Sequence, residues 1–180
     1  MALLRGAGVT AIADVRTAPY SRRHPHFNRE TLRAALQSEG VAYVYLGREL
    51  GGRPSDPACY SDGVADYERM AQAGEFAQGL DRVIEGARTY RVALMCSERE
   101  PLHCHRCLLV SRALAQRGVR VSHILDDGRV SQAETEDKLL EIASRDSADL
   151  FASRPERLAA AYREYGRKVA FTEPEDRAGP

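Results

Sequence analysis

The chain lacks a net charge, a long apolar run and an export signal, and each absence narrows what it can do. Its 26 basic and 26 acidic side chains cancel over 180 residues. No global field therefore pulls it toward nucleic acid or membrane, and any anion binding has to be local. No apolar stretch approaches the roughly 20 residues that span a bilayer, so a transmembrane helix and a membrane partner are not expected. The opening Met1-Ala2-Leu3-Leu4-Arg5-Gly6 carries no signal-peptide pattern, and a cytoplasmic location is the expectation. No internal repeat or low-complexity block interrupts the sequence. Gly51-Gly52-Arg53 is not followed by Gly-Lys-Ser/Thr, so it is not a P-loop. What remains is an ordinary globular composition, 43% hydrophobic and 29% charged, at a length that suits one core.

Apolar patterning predicts an α/β fold. Four short β-branched or apolar runs, 10–15, 41–46, 91–95 and 119–125, read as buried parallel strands. Helical spacing falls between them, at about 28–38, 66–73, 76–87 and 103–116, with Asn28 as a cap and Gly40 and Gly118 as stops. Two more helices follow. One runs from Ser131 to Ser144, where Ser131 and Glu134 form a capping-box pattern, and one from Pro155 to Tyr165. Alternating strands and helices imply a three-layer architecture, a mostly parallel sheet with helices on both faces. Residues 1–165 are expected to form this single domain, and 166–180, polar at its end, a disordered tail.

In such sheets ligands bind beyond the carboxyl ends of the strands. Here those ends carry Asp14 and Arg16, then Gly47 to Arg53, then Cys96 to Glu98, then Asp126. The chemically unusual residues of the chain all fall in these loops.

The densest cluster is Cys96 to Arg106. Of four cysteines, Cys96, Cys104 and Cys107 lie within twelve residues, beside His103 and His105. Without an export signal, thiol chemistry or metal is a better reading than a disulfide framework. Cys96 closes a strand, and Cys104-His105-Arg106 opens a helix, whose first turn presents free N–H groups and a partial positive charge. A cysteine there is expected to be partly thiolate near neutral pH. Glu98 and His105 are then acid/base candidates, and Arg16 and Arg106 candidate anion holders. Zinc or iron bound through Cys96, Cys104 and His105 is the competing use of the same residues. A structural zinc module fits less well, because Cys104 and Cys107 make one C-x₂-C with no second pair. Cys107, at helical spacing with Ser111 and Leu114, reads as core, and Cys59 as an incidental loop residue.

Two further stretches bear on binding. Arg16, Arg22, Arg23, His24, His26 and Arg29, with Tyr20 and Phe27 between them, form a basic loop suited to phosphate, carboxylate or a single-stranded base. A solvated loop is the simpler explanation, and Arg16, directly after a buried strand, is the better site residue. Asp14 is its natural partner. Gly51 and Gly52 would let backbone approach a ligand, or make a turn.

Several of these motifs together resemble a known family. They are Asp14-Val15-Arg16 with Pro19, Ser21 and Phe27; Tyr43 with Leu50-Gly51-Gly52; Met95-Cys96-Ser97-Glu98 leading to Cys104-His105-Arg106; and His123-Ile124. The sequence is identified on them, over about residues 8–125, as similar to the family called domain of unknown function 488. The resemblance implies that Asp14, Arg16, Cys96, Glu98, Cys104, His105 and Arg106 are signature polar residues, and it implies no established activity. The family pattern opens with a further strand ending in Gly-His-Ser and a helix. Met1 falls inside that helix, so the strand is expected to be missing, leaving a sheet neighbour unpaired and prone to associate, as in a homodimer.

The leading expectation is an enzyme using Cys96, Glu98, Cys104 and His105 on a small anionic or nucleotide-like substrate, held by Asp14, Arg16, Arg106, Gly51 and Gly52. The alternatives are a non-catalytic module that binds nucleic acid or a partner through the arginine loop, which zero net charge does not favour, and a metal-dependent redox enzyme.

Overall fold

The computed structural model describes residues 1–126, 128–144 and 152–174. In chain order the elements are α1 (Ala2–Gly6), β1 (Ala11–Asp14), α2 (Arg29–Ser38), β2 (Ala42–Tyr45), α3 (Gly47–Leu50), β3 (Tyr60–Ser61), β4 (Val64–Ala65), α4 (Tyr67–Gln72), α5 (Gly74–Ala87) and β5 (Val92–Met95). A six-residue π-helix, Arg106–Ser111, then runs into α6 (Arg112–Gln116), followed by β6 (Ser122–Leu125), β7 (Gly128–Ser131), α7 (Gln132–Ser144) and α8 (Arg154–Val169). None of the described helices is long and apolar enough to cross a membrane.

Strand β1 is the centre of a parallel sheet of order β2-β1-β5. Ala11 lies opposite Ala42 and Val92, and Asp14 opposite Tyr45 and Met95, so all three strands end at the same level. Side chains of a strand alternate between faces, and β1 is apolar on both. Ile12 packs with Leu32 and Leu36 of α2. Ala13 and Val15 pack on the opposite face with Phe76, Leu80 and Val83 of α5 and with Leu109, Val110 and Leu114 of the π-helix and α6. This is the expected α/β layering, with helices on both faces. A third cluster joins Leu102, Cys107 and Leu108 to Leu139 of α7 and Ala161 and Tyr162 of α8.

Three sequence expectations change. The fourth strand does not join the parallel sheet: β6 pairs antiparallel with β7, Leu125 opposite Gly128. The chain folds back on itself between Leu125 and Gly128, where Gly128 takes φ 150°, so β6 pairs with the strand that follows it in sequence. The loop after β2 is not structureless, since it holds α3 and the β3–β4 hairpin. Cys59 there is buried, 5% exposed, because Asp56 caps a turn at Pro57–Cys59 that directs it into the core. The expected tail does not begin at 166 either. Helix α8 continues to Val169, Ala170 is buried, Phe171 packs on the core, and Thr172 bridges to Val64. Residues 175–180 of that tail lie outside the described residues.

The capping readings mostly hold. Ser131 and Glu134 bond reciprocally at the start of α7 (2.8 and 3.2 Å), and Ser153 with Glu156 forms a second box at α8. Asn28 stands at the start of α2, but its side chain accepts from the Ser21 N–H instead (2.7 Å), so it ties down the basic loop.

Candidate active site

Four donor side chains converge beyond the end of β5. Cys96 follows the last residue of that strand, and Glu98 sits two residues on. The chain then makes one tight turn, Pro101–His103, before extended Cys104 and the start of the π-helix return Cys104 and His105 to the same point. One ligand atom from each of Cys96, Glu98, Cys104 and His105 lies within 4.8 Å of all the others. Glu98 Oε2 contacts Cys96 Sγ at 2.8 Å and Cys104 Sγ at 3.2 Å, and His105 Nδ1 lies 3.7 Å from Cys96 Sγ. The π-helix is a widened turn of a kind that often accompanies functional sites.

The second nitrogen of His105 fixes its role. Nε2 is 3.1 Å from the Val15 carbonyl oxygen. A carbonyl only accepts, so Nε2 carries the proton and Nδ1 presents a lone pair to the cluster. A backbone carbonyl behind an imidazole is the usual arrangement that orients a metal-binding histidine. The ring is packed on its other side by Gly52. A Cβ there would stand 2.8 Å from His105 Cγ and 2.9 Å from Nδ1. Gly52 is therefore small to admit the imidazole. Gly51 is small for the loop itself, since a Cβ would meet the Gly47 carbonyl at 2.3 Å and Thr17 Oγ1 at 2.4 Å.

Contact with the Cys104 thiol and burial push the Cys96 thiol well above its usual range, against the weaker opposing pull of His105. Burial would raise Glu98, but hydrogen bonds from Cys96 and Cys104 outweigh it and hold the carboxyl below its ordinary value. A cation at the centre would instead favour loss of the Cys96 proton.

The cluster opens into a pocket of about 490 Å³, lined by Arg16–Ala18 and Tyr20 after β1, Gly52 and Arg53 after β2, and Cys96–Glu98 after β5, with Tyr67, His103, His105, Val169 and Phe171. Cys96 faces this space, whereas Cys104 is 1% exposed and lies behind. The loops after all three parallel strands line this pocket, at the strand ends where such sheets bind ligands.

The expected anion holders are placed differently. Arg16 is 7% exposed and committed to Asp14, which is fully buried. Asp14 Oδ1 accepts from the Arg16 backbone N–H (3.1 Å) and Nε (2.9 Å), and Oδ2 from Nη2 (2.7 Å) and the Tyr43 hydroxyl (2.7 Å). The pair stiffens the loop at the pocket edge and brings it no net positive charge. Arg106 does not line the pocket. Its charge acts on Cys107 and His123, on the side where the Cys107 thiol is pushed up to about 12 by burial. In the basic loop Tyr20 reaches the pocket, while Arg22, Arg23, His24 and His26 are exposed outside it and Arg29 stacks over Tyr45 (4.6 Å).

Sequence reasoning missed Tyr67 and Phe171 as lining residues of this pocket. Tyr67 is the first residue of α4, capped by Asp66, and its ring lies against Gly166 of α8. Asp66 just before a helical run was a readable cap, but nothing local said that this helix reaches the thiols.

Comparison of the chain with curated proteins and with solved structures gives no match. One family profile does match, over residues 1–113, which carry the four converging donors, Asp14, Arg16 and the glycine pair. By that match the chain belongs to the family described as the domain of unknown function DUF488.

Proposed function

We propose that Cys96, Glu98, Cys104 and His105 form a divalent-metal centre, zinc or iron in type, and that the protein is a metal-dependent enzyme acting on a small anionic substrate. The observation that carries this reading is the convergence of four unlike donors within 4.8 Å, with the imidazole already oriented by the Val15 carbonyl. Two sulfurs and a nitrogen suit zinc or iron and not magnesium or calcium, which prefer all-oxygen sites. Glu98 is exposed and faces the pocket. Cys96, Cys104 and His105 would hold the metal, and Glu98, the exposed donor, would be free to serve as a proton acceptor. The metal would supply Lewis-acid polarisation and a lowered water pKa.

Metal analysis of the purified protein tests the reading. About one equivalent of zinc or iron is expected in the wild type, strong loss in Cys96→Ser and Cys104→Ser, and retention in Cys59→Ser, whose sulfur is not among the four converging donors. A protein that takes up no metal when supplied with either ion, or loses none in the two site variants, would refute it.

A further inference from the structure

We infer that Arg53, held over the ring of Phe171, is the oxyanion-binding residue of this pocket, and that the segment Val169–Phe171 is a selectivity wall added outside the part of the chain that matches the family. The inference deepens the enzyme reading above by naming what the substrate must carry.

Two cationic side chains line the pocket. Arg16 is neutralised by Asp14 at two guanidinium nitrogens. Arg53 is exposed, and among the described residues no carboxylate pairs with it. Glu98, the one carboxylate among the lining residues, is engaged by the two thiols. The Arg53 guanidinium carbon lies 4.5 Å from the centre of the Phe171 ring, within cation–π range. Its backbone N–H donates to Thr17 Oγ1 (3.2 Å), so the residue is fixed at both ends. A planar guanidinium lying on an aromatic face keeps its N–H edge free, and that edge fits the two oxygens of a phosphate or carboxylate.

Phe171 owes its place to α8 and to the isolated bridge between Thr172 and Val64 that follows it. The Phe171 carbonyl accepts from the Ala65 N–H (2.9 Å), and the Gly63 carbonyl accepts from the Glu173 N–H (2.8 Å). His103, also on the pocket, stacks with Tyr165 of α8 at 6.4 Å. The metal donors all come from residues 1–113, whereas Val169 and Phe171 lie beyond them. The donors and Arg53 therefore come from the matched part of the chain, and the aromatic face that holds Arg53 comes from beyond it.

The test is calorimetric titration of the purified protein with inorganic phosphate and, separately, with acetate, on the wild type, Arg53→Met, Arg53→Lys, Phe171→Leu and Arg88→Met, each checked for metal content and thermal midpoint. Phosphate affinity is expected to fall at least about tenfold in Arg53→Met, the loss of a charge-assisted pair. It should be partly restored in Arg53→Lys and fall about threefold in Phe171→Leu. Arg88, exposed on the far end of α5 beside Glu85, should leave it unchanged. Tighter phosphate than acetate points to a phosphorylated substrate, and the reverse to a carboxylate. Wild-type protein that binds neither probe at about 10 mM, or Arg53→Met that matches the wild type, would overturn the inference even if metal is present. Arg53-dependent binding in protein that takes up no metal would uphold it and reject the metal centre.

Discussion

Gly52→Ala is the smallest change that should disable the centre without touching a donor atom. A Cβ at that position falls 2.8 Å from His105 Cγ and 2.9 Å from Nδ1, where ordinary contact begins at 3.4 Å. The ring must therefore move by about 0.6 Å, roughly three times the 0.2 Å tolerance of a metal–ligand distance. It cannot simply rotate away. His105 is 9% exposed and its Nε2 is held by the Val15 carbonyl at 3.1 Å, so moving the ring breaks that bond or withdraws Nδ1 from the sulfurs. Disturbing one support of a metal-binding histidine typically costs about 10–100-fold in affinity, or about 1.4–2.7 kcal/mol. Overpacking adds about 1–3 kcal/mol of lost folding stability. Zinc affinity by competition with a chromophoric chelator reads the first number, and denaturant unfolding of metal-free protein the second. A Gly52→Ala protein that binds zinc as tightly as the wild type would show that His105 is not a ligand, and one of unchanged stability that the close approach is not real.

Two further expectations concern groups away from the donors. Asp14→Asn keeps the shape of the carboxylate but leaves the 7%-exposed Arg16 guanidinium without its counter-charge, which should lower unfolding free energy by about 3–5 kcal/mol; a loss under 1 kcal/mol in urea titration would show the pair to be incidental. His123 is 5% exposed and donates through Nε2 to Gln132 Oε1 at 2.9 Å. Its burial, with a smaller contribution from Arg106, holds its pKa below the ordinary 6.5 even though the Gln132 bond pulls upward. The unfolded chain then binds the extra proton first. Stability is fully present above about pH 6.5 and declines as pH falls from there through the depressed folded value, ahead of the carboxylates. His123→Asn should flatten that part of the stability–pH profile, and an unchanged slope between about pH 7 and 5.5 would contradict it.

Local patterning made much of this protein readable. Val-, Ile- and Ala-rich runs bounded by glycine and polar residues marked β1, β2 and β5, the Ser131–Glu134 spacing marked the start of α7, and Pro155 the first turn of α8. The rule that strand ends carry ligands selected Cys96, Glu98, Asp14, Arg16 and the glycine pair before any coordinates. Other features were not local. The fourth strand read correctly as a strand, but whether it pairs with the sheet or with β7 is a choice of partner on which periodicity carries no information. The basic loop looked like one patch, yet its arginines separate in space. Of its basic and aromatic residues only Arg16 and Tyr20 line the pocket, and Asn28 ties the loop down through the Ser21 N–H.

By itself the sequence determined the chemistry on offer: two sulfurs, an imidazole and a carboxylate near the end of one strand, in a chain of no net charge. Side-chain type and chain order suffice for that. Tertiary structure alone decided how they are used. Burial and the Asp14 carboxylate consumed the charge of Arg16, the Val15 carbonyl chose the tautomer of His105, and α8, far along the chain, carried Phe171 to Arg53. Each of these is a contact between residues distant in sequence, set by packing, and no local pattern encodes it.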